Sequence, residues 1–257
     1  MSPPVAQFFL NHPRYRSTPK PHLILPEPFS AFCLTLYSSD DKDDHDRIMT
    51  LPGISKYYGL TGRDDPKFEK TSGLVDGFMA ADHLFPFIVI RETRLVESWT
   101  DNPTPRPPMI GSLAFARNPY HDVPAEIRDE VREREKGLSD QEGNWMATAI
   151  VLDPVWKGKG IMAAAYSFAL NEWYLPHLSP PPGHMSAGWE PGNIPSQRLH
   201  EKVGFKVVCK RAVPKEGAGK PMIIAVWQGA GEIGKTGTIY EDNEDYVEDV
   251  DGAMGDT

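Results

Sequence analysis

The chain has 257 residues, enough for one large domain or one domain with appendages. Its 40% hydrophobic content is that of a soluble globular protein, and no apolar run approaches the roughly 20 residues that span a bilayer. The formal charge is −9, but eight acids and no Lys or Arg follow Lys235, and the remainder holds 28 acids against 27 bases. The acidity therefore belongs to a tail. With no basic stripe, no RNP-like aromatic run and no Cys/His pair at zinc spacing, neither nucleic acid nor a metal is expected as a partner, and no membrane partner is expected either. Met1 to Asn11 has no basic n-region or apolar h-region, so no signal peptide is expected. Cys33 and Cys209 lie in apolar runs and read as buried free thiols, with a disulfide or a nucleophile as the alternative. These features point to the cytoplasm, with the nucleus as the alternative. Oligomeric state is not legible.

In chain order, residues 1–22 carry five prolines and read as an extended arm. Ala31–Leu36 reads as a strand. Ser38 and Ser39 cap a helix over 40–50, and residues 52–73 read as loop with a short helix. A further short helix is expected over 74–85. Phe87–Glu92 and Met109–Ala116 read as the strands of a hairpin with a long, proline-rich connection. Residues 118–143 form a charged insertion with a capped helix start at Asp122. Met146–Leu152 reads as a third strand. Helix 160–175 presents Ile161, Ala164, Ala165, Phe168, Ala169 and Trp173 on one broad face. Met185–Trp189 reads as a strand, Ile194–Val203 as a helix, and Phe205–Lys210 and Met222–Gln228 as a paired final hairpin. Residues 230–257 are rich in Gly and acid and read as a disordered tail. The tail reads as a solubilising appendage, with docking to a basic partner, or an autoinhibitory mimic of one, as alternatives. One α/β (α+β) domain over 23–229 is expected, with strands and helices interleaved around a mixed sheet.

The most informative stretch is Ile150 to Gly160. An apolar strand runs into a basic loop with two glycines, and the loop opens a helix. Backbone N–H groups and the positive helix end make such a loop an anion site. A Walker A loop requires a hydroxyl after Gly-Lys, and here Gly158-Lys159 is followed by Gly160-Ile161. A dinucleotide fingerprint places its first glycine close behind the strand, but Asp153-Pro154-Val155-Trp156-Lys157 intervenes.

The loop resembles the acyl-CoA pyrophosphate motif of the GNAT superfamily of N-acetyltransferases, Gln/Arg-x-x-Gly-x-Gly/Ala after a strand. About 35 residues on, Asn193-Ile-Pro-Ser196-Gln-Arg-Leu199-His200-Glu-Lys202-Val-Gly204-Phe205 resembles that family's second motif, Asn-x-x-Ser/Ala-x-x-Leu-x-Glu-Lys-x-Gly-Phe. The likeness is nearest to the branch that contains ribosomal-protein-alanine acetyltransferases. It is clear over 109–228, fainter over 23–100, and absent from the arm, the insertion and the tail. Val155 stands where the motif has Gln or Arg, which leaves Lys157, Lys159 and the backbone amides to hold phosphate.

The resemblance implies a mostly antiparallel central sheet flanked by helices and splayed at the acyl-CoA site. It implies acetyl-CoA as co-substrate and a primary amine acceptor, a small molecule or a peptide N-terminus, that attacks directly in a ternary complex. Ile150, Val151 and Leu152 would contact pantetheine through their backbone. Lys157, Gly158, Lys159, Gly160, Ile161 and Met162 would hold the diphosphate. Asn193 would contact CoA or cap its helix, and one residue can do both. Ser196 would lie near CoA or serve as a plain first-turn serine. His200 occupies the position of a tyrosine that protonates the departing thiolate; as acid, as CoA contact or as packing, it shares a helix face with positions 193 and 196. Glu190 is the candidate base, Glu92 a second, and water-mediated deprotonation a third route. Trp145, Trp189 and Tyr120 line an acceptor pocket or pack at strand ends. The reading from another class is a CoA-binding regulatory or interaction protein that keeps the fold without turnover.

Overall fold

A computed structural model describes residues 12–17, 20–58, 88–99, 106–117, 142–175, 185–213 and 220–227, with 129–131, 133–134 and 137–139. The helix expected over 74–85, Tyr120, most of the insertion and the tail lie outside these residues. The chain divides into two units, one of residues 1–117 with 147–179 and one of 118–146 with 180–257.

In the first unit the strands run in the order β1 (Tyr15–Arg16), β2 (His22–Ile24), β3 (Phe32–Leu36), β4 (Ile88–Glu92), β5 (Gly111–Arg117) and β6 (Trp145–Leu152), the last of these reaching into the second unit by two residues. The ladders from β1 to β5 are antiparallel. Residues 12–22, expected as an arm, supply β1 and start β2, with Tyr15 opposite Leu23. Two residues are too few to show an alternating pattern. The β4–β5 hairpin forms as expected, with Ile88 opposite Leu113.

Three helices follow β3 and β4: α1 (Lys42–Met49), α2 (Pro52–Tyr58) and α3 (Thr93–Glu97). A 3-10 turn, Ser39–Asp41, leads into α1. Ser38 caps it, and its N–H donates to Asp41 Oδ2 at 2.9 Å. The apolar face of α1 and α2 meets the sheet, and Tyr37, Ile48, Met49, Ile54, Val89, Met109, Ala114 and Val151 form one buried cluster. Beneath it lies a buried charge cluster. Asp41 accepts from both Arg91 and Arg106, and Arg91 also donates to Thr35 Oγ1 at 3.0 Å and to the Pro107 carbonyl. Burial pulls the Arg91 guanidinium below its ordinary pKa, and Asp41 opposes that pull.

β5 and β6 approach closely because residue 111 is glycine. A Cβ there would sit 2.7 Å from the Val151 carbonyl oxygen. Ala149 in β6 has φ 51°, a left-handed residue inside a strand. That conformation costs an L-residue about 1–2 kcal/mol, and it re-aims the strand as a bulge does. Ser112 Oγ donates to the Ala149 carbonyl at 3.0 Å and secures the irregularity.

Beyond the loop, α4 (Ile161–Phe168) continues as a π-helical segment, Ala169–Tyr174, along the expected 160–175 span. In the second unit, β7 (Met185–Trp189), β9 (Lys220–Trp227) and β8 (Phe205–Val213) pair antiparallel in that order, and α5 (Ile194–Val203) packs on them. Its cap signals read as the sequence implies. Asn193 opens α5, Pro195 lies in the first turn, and Gly204 closes it at φ 104°. Phe205 is buried behind it. The architecture is mixed α/β, with mostly antiparallel sheet flanked by helices. No described helix is long and apolar enough to cross a membrane.

Candidate functional site

The loop is built by three local devices. Asp153 ends β6, and its N–H donates to the Ile110 carbonyl at 2.8 Å. Its carboxylate then caps a 3-10 turn, Pro154–Trp156, by accepting from the Val155 N–H at 3.1 Å. Asp followed by Pro at the first turn position is a helix-start signature. Gly158 and Gly160 both take left-handed φ, 77° and 79°, and Gly160 is the N-cap of α4. A side chain at 160 would also meet the Phe29 ring at 3.2 Å.

These turns sort the amides. Val155, Trp156 and Lys157 spend their N–H groups inside the loop, Lys157 on the Pro154 carbonyl at 3.1 Å. Among the described residues, Gly158, Lys159, Gly160, Ile161 and Met162 have no such acceptor. The first four amides of a helix have none within the helix. The expected cradle of 157–162 therefore narrows to 158–162, because the Lys157 amide is spent on Pro154. The site is a row of five N–H donors at the positive end of α4.

The two lysines do not point alike. Lys157 Nζ donates to the Gly53 carbonyl at 3.2 Å. Lys159 Nζ lies 4.5 Å from the Trp156 ring centre, and Trp156 meets Phe32 edge to face. Val155 is 73% exposed, so the position where the motif has Gln or Arg is a bare apolar tip at the loop's surface. Val151 and Leu152 are buried, and Ile150 is half-buried.

Two residues that sequence reasoning passed over hold the loop. Asp153 takes Arg47 of α1 at 2.7 Å in addition to its capping role. That partner pulls the Arg47 pKa upward. Phe29, in the turn before β3, covers Gly160. The Asp-Pro pair was a readable signal for the cap; neither long-range contact had one.

In the second unit, α5 brings Asn193, Ser196 and His200 onto one face, as the spacing implies. Asn193 Oδ1 accepts from the Ser196 N–H at 3.3 Å, so the capping role is met. His200 Nδ1 lies 2.8 Å from the Ser196 carbonyl oxygen. A carbonyl only accepts, so Nδ1 carries the proton and the neutral ring keeps Nε2 as its lone-pair nitrogen. The ring is 3% exposed, stacked on Trp189 at 5.0 Å and 11°, with Phe205 edge-on. Burial pushes its pKa down to about 4, against the opposing Ser196 bond. At neutral pH no imidazolium is present to protonate a thiolate, and the one N–H proton is already committed. His200 packs against Trp189 and Phe205, with its Nδ1–H directed at the Ser196 carbonyl. Trp145 and Trp189 are likewise buried, as packing residues. Glu190 is half-buried in the β7–α5 turn, where its carbonyl accepts from the Asn193 N–H at 3.0 Å. Glu92 ends β4, half-buried. Cys33 is buried, and its thiol is pushed up to about 12 by that burial, which makes it an inert core residue rather than a nucleophile.

His200 gives the fold a pH dependence. Its folded pKa lies below the unfolded 6.5, so its stabilising contribution is complete above pH 6.5 and is lost as pH falls toward 4. That window amounts to about 3 kcal/mol. Urea unfolding at stepped pH should show stability falling across it, and His200→Phe should flatten part of the fall. Equal slopes in the two proteins would show that His200 is not neutral when folded.

The fold is that of known acetyltransferases. A GNAT-family acetyltransferase from Bacillus anthracis is similar with a TM-score of 0.51 at 14% identity, over 77% of this chain and 95% of its own. Spermidine N-acetyltransferase from Vibrio cholerae, in complex with CoA and spermine, gives 0.51 at 12% over 77% and 96%. AAC(6')-Ib, in complex with ribostamycin and coenzyme A, gives 0.52 at 14% over 77% and 94%. No protein-family model matches the sequence, and no curated protein matches it significantly.

Proposed function

From a chain with the GNAT fold, we propose an acyl-CoA-dependent N-acetyltransferase that moves an acetyl group from acetyl-CoA to a primary amine. The observation that carries this reading is the row of amides from Gly158 to Met162, without an acceptor among the described residues, beside two left-handed glycines at the start of α4. Backbone donors at a helix N-terminus suit a diphosphate and need no particular side chain, which accommodates Val155. Ile150, Val151 and Leu152, next to the left-handed Ala149, offer backbone groups for the amide-rich pantetheine. Asn193 and Ser196 are assigned to CoA on the resemblance of their segment to the family's second motif. That two of the similar structures hold CoA, one with spermine and one with ribostamycin, supports an amine acceptor.

The chemistry asks little of side chains. The acceptor must lose a proton, since an ammonium has no lone pair. Its nitrogen then attacks the thioester carbonyl, the C–N bond forms, the C–S bond breaks, the nitrogen releases its second proton to water, and the thiolate takes a proton from water. Alignment of two bound reactants supplies much of the acceleration. Proton removal is assigned to Glu190 acting through water. Protonation of the thiolate is assigned to solvent, because His200 is neutral and its proton is held by Ser196. Thiol release followed across a panel of primary amines tests the reading. Turnover is expected with at least one amine, slowed about 10–100-fold by Glu190→Gln. CoA binding without release on any amine would favour a regulatory protein instead.

A further inference from the structure

Lys157 turns away from its own loop to the Gly53 carbonyl. Gly53 lies in the first turn of α2, and Lys56 stands three residues on, on the same helix face. Both lysines are exposed. Among the described residues neither is paired with a carboxylate: Lys157 has only a neutral carbonyl, and Lys56 lies 4.7 Å over the Tyr57 ring. Asp153, the acid whose field reaches Lys157, is engaged by Arg47 and by the Val155 N–H. Partial burial lowers the Lys157 pKa, and Lys56 lowers it further, as expected of like charges held side by side.

Two such cations beside a diphosphate cradle suit an anion of more than one charge. A phosphate monoester near neutral pH carries between one and two charges and three acceptor oxygens. We propose that Lys56 and Lys157 form a subsite for the 3′-phosphate of CoA, on the flank of the amides from Gly158 to Met162. The inference rests on the CoA reading above. In CoA the 3′-phosphate and the diphosphate are joined by one ribose, so fixing the second delivers the first to a neighbouring cation. Lys157 exchanges a neutral acceptor for a charged one, and charge-assisted bonds are the stronger kind. Lys56 needs only to swing from Tyr57. The subsite would make the chain discriminate CoA from its 3′-dephospho form.

Calorimetric titration of the full chain with CoA and with 3′-dephospho-CoA tests this. The wild-type chain should bind CoA about 10-fold more tightly than the dephospho form. Lys56→Gln should cut that preference to about 2-fold by weakening CoA alone, and a salt titration should reduce it likewise. Lys206→Gln, an exposed lysine on β8, should leave the preference intact. Equal affinities in the wild type, or an unchanged preference in Lys56→Gln, would overturn the subsite while leaving the CoA reading in place. Failure of the wild type to bind either compound would overturn both.

Discussion

Asp41→Ala should cost the first unit about 3–5 kcal/mol, the largest stability loss of any single substitution considered. Asp41 is fully buried and accepts from Arg91, Arg106 and the Ser38 N–H. Arg91 is 2% exposed and cannot turn to water. Removing its carboxylate leaves a guanidinium in the core with Thr35 and the Pro107 carbonyl as its remaining partners. Neutral acceptors do not cancel a charge, and the cost of a buried, uncompensated ion exceeds that of a lost hydrogen bond. The pair itself is a weak source of net stability, since both ions were desolvated to form it. The double variant Asp41→Leu with Arg91→Met should therefore recover much of the loss. Urea unfolding of the three proteins checks this. A loss below about 1 kcal/mol in Asp41→Ala would mean that Arg91 reaches solvent.

Gly160→Asp should abolish CoA binding, a loss of at least about 100-fold. Two effects combine there. The residue must hold φ 79° with its Cβ against Phe29, and a carboxylate would face the phosphates from within the amide row. Gly160→Asn separates them. Asn matches Asp in shape and tolerates left-handed backbone, so it keeps the strain and lacks the charge. It should weaken binding by about 10-fold or less. Equal losses in Asn and Asp would assign the effect to backbone distortion rather than to an anion in the loop.

How much of this could be read in advance follows the range of the signals. Helix α5 is bounded as expected because Asn193, Pro195 and Gly204 act within one turn of each end. The loop was legible for the same reason: strand, Asp-Pro, two glycines and an apolar helix are local features. The contacts that hold it were not. Arg47 and Asp153 are 106 residues apart, and Lys157 and Gly53 are 104 apart, and no periodicity links such positions. His200 shows the limit inside one helix. Spacing put it on the face of Asn193 and Ser196, but its charge state depends on burial beneath Trp189 and Phe205, which outweighs the hydrogen bond that the Ser196 carbonyl accepts from Nδ1. Burial and tautomer belong to packing, which spacing along one helix does not report. β1 was missed because two paired residues carry no pattern of their own.

The central claim is that the row of amides from Gly158 to Met162 holds the diphosphate of CoA. Titration of the wild-type chain with CoA, read by calorimetry, tests it most directly. The account predicts saturable one-to-one binding that is lost in Gly160→Asp. A wild-type chain that takes up no CoA at millimolar concentration would contradict it.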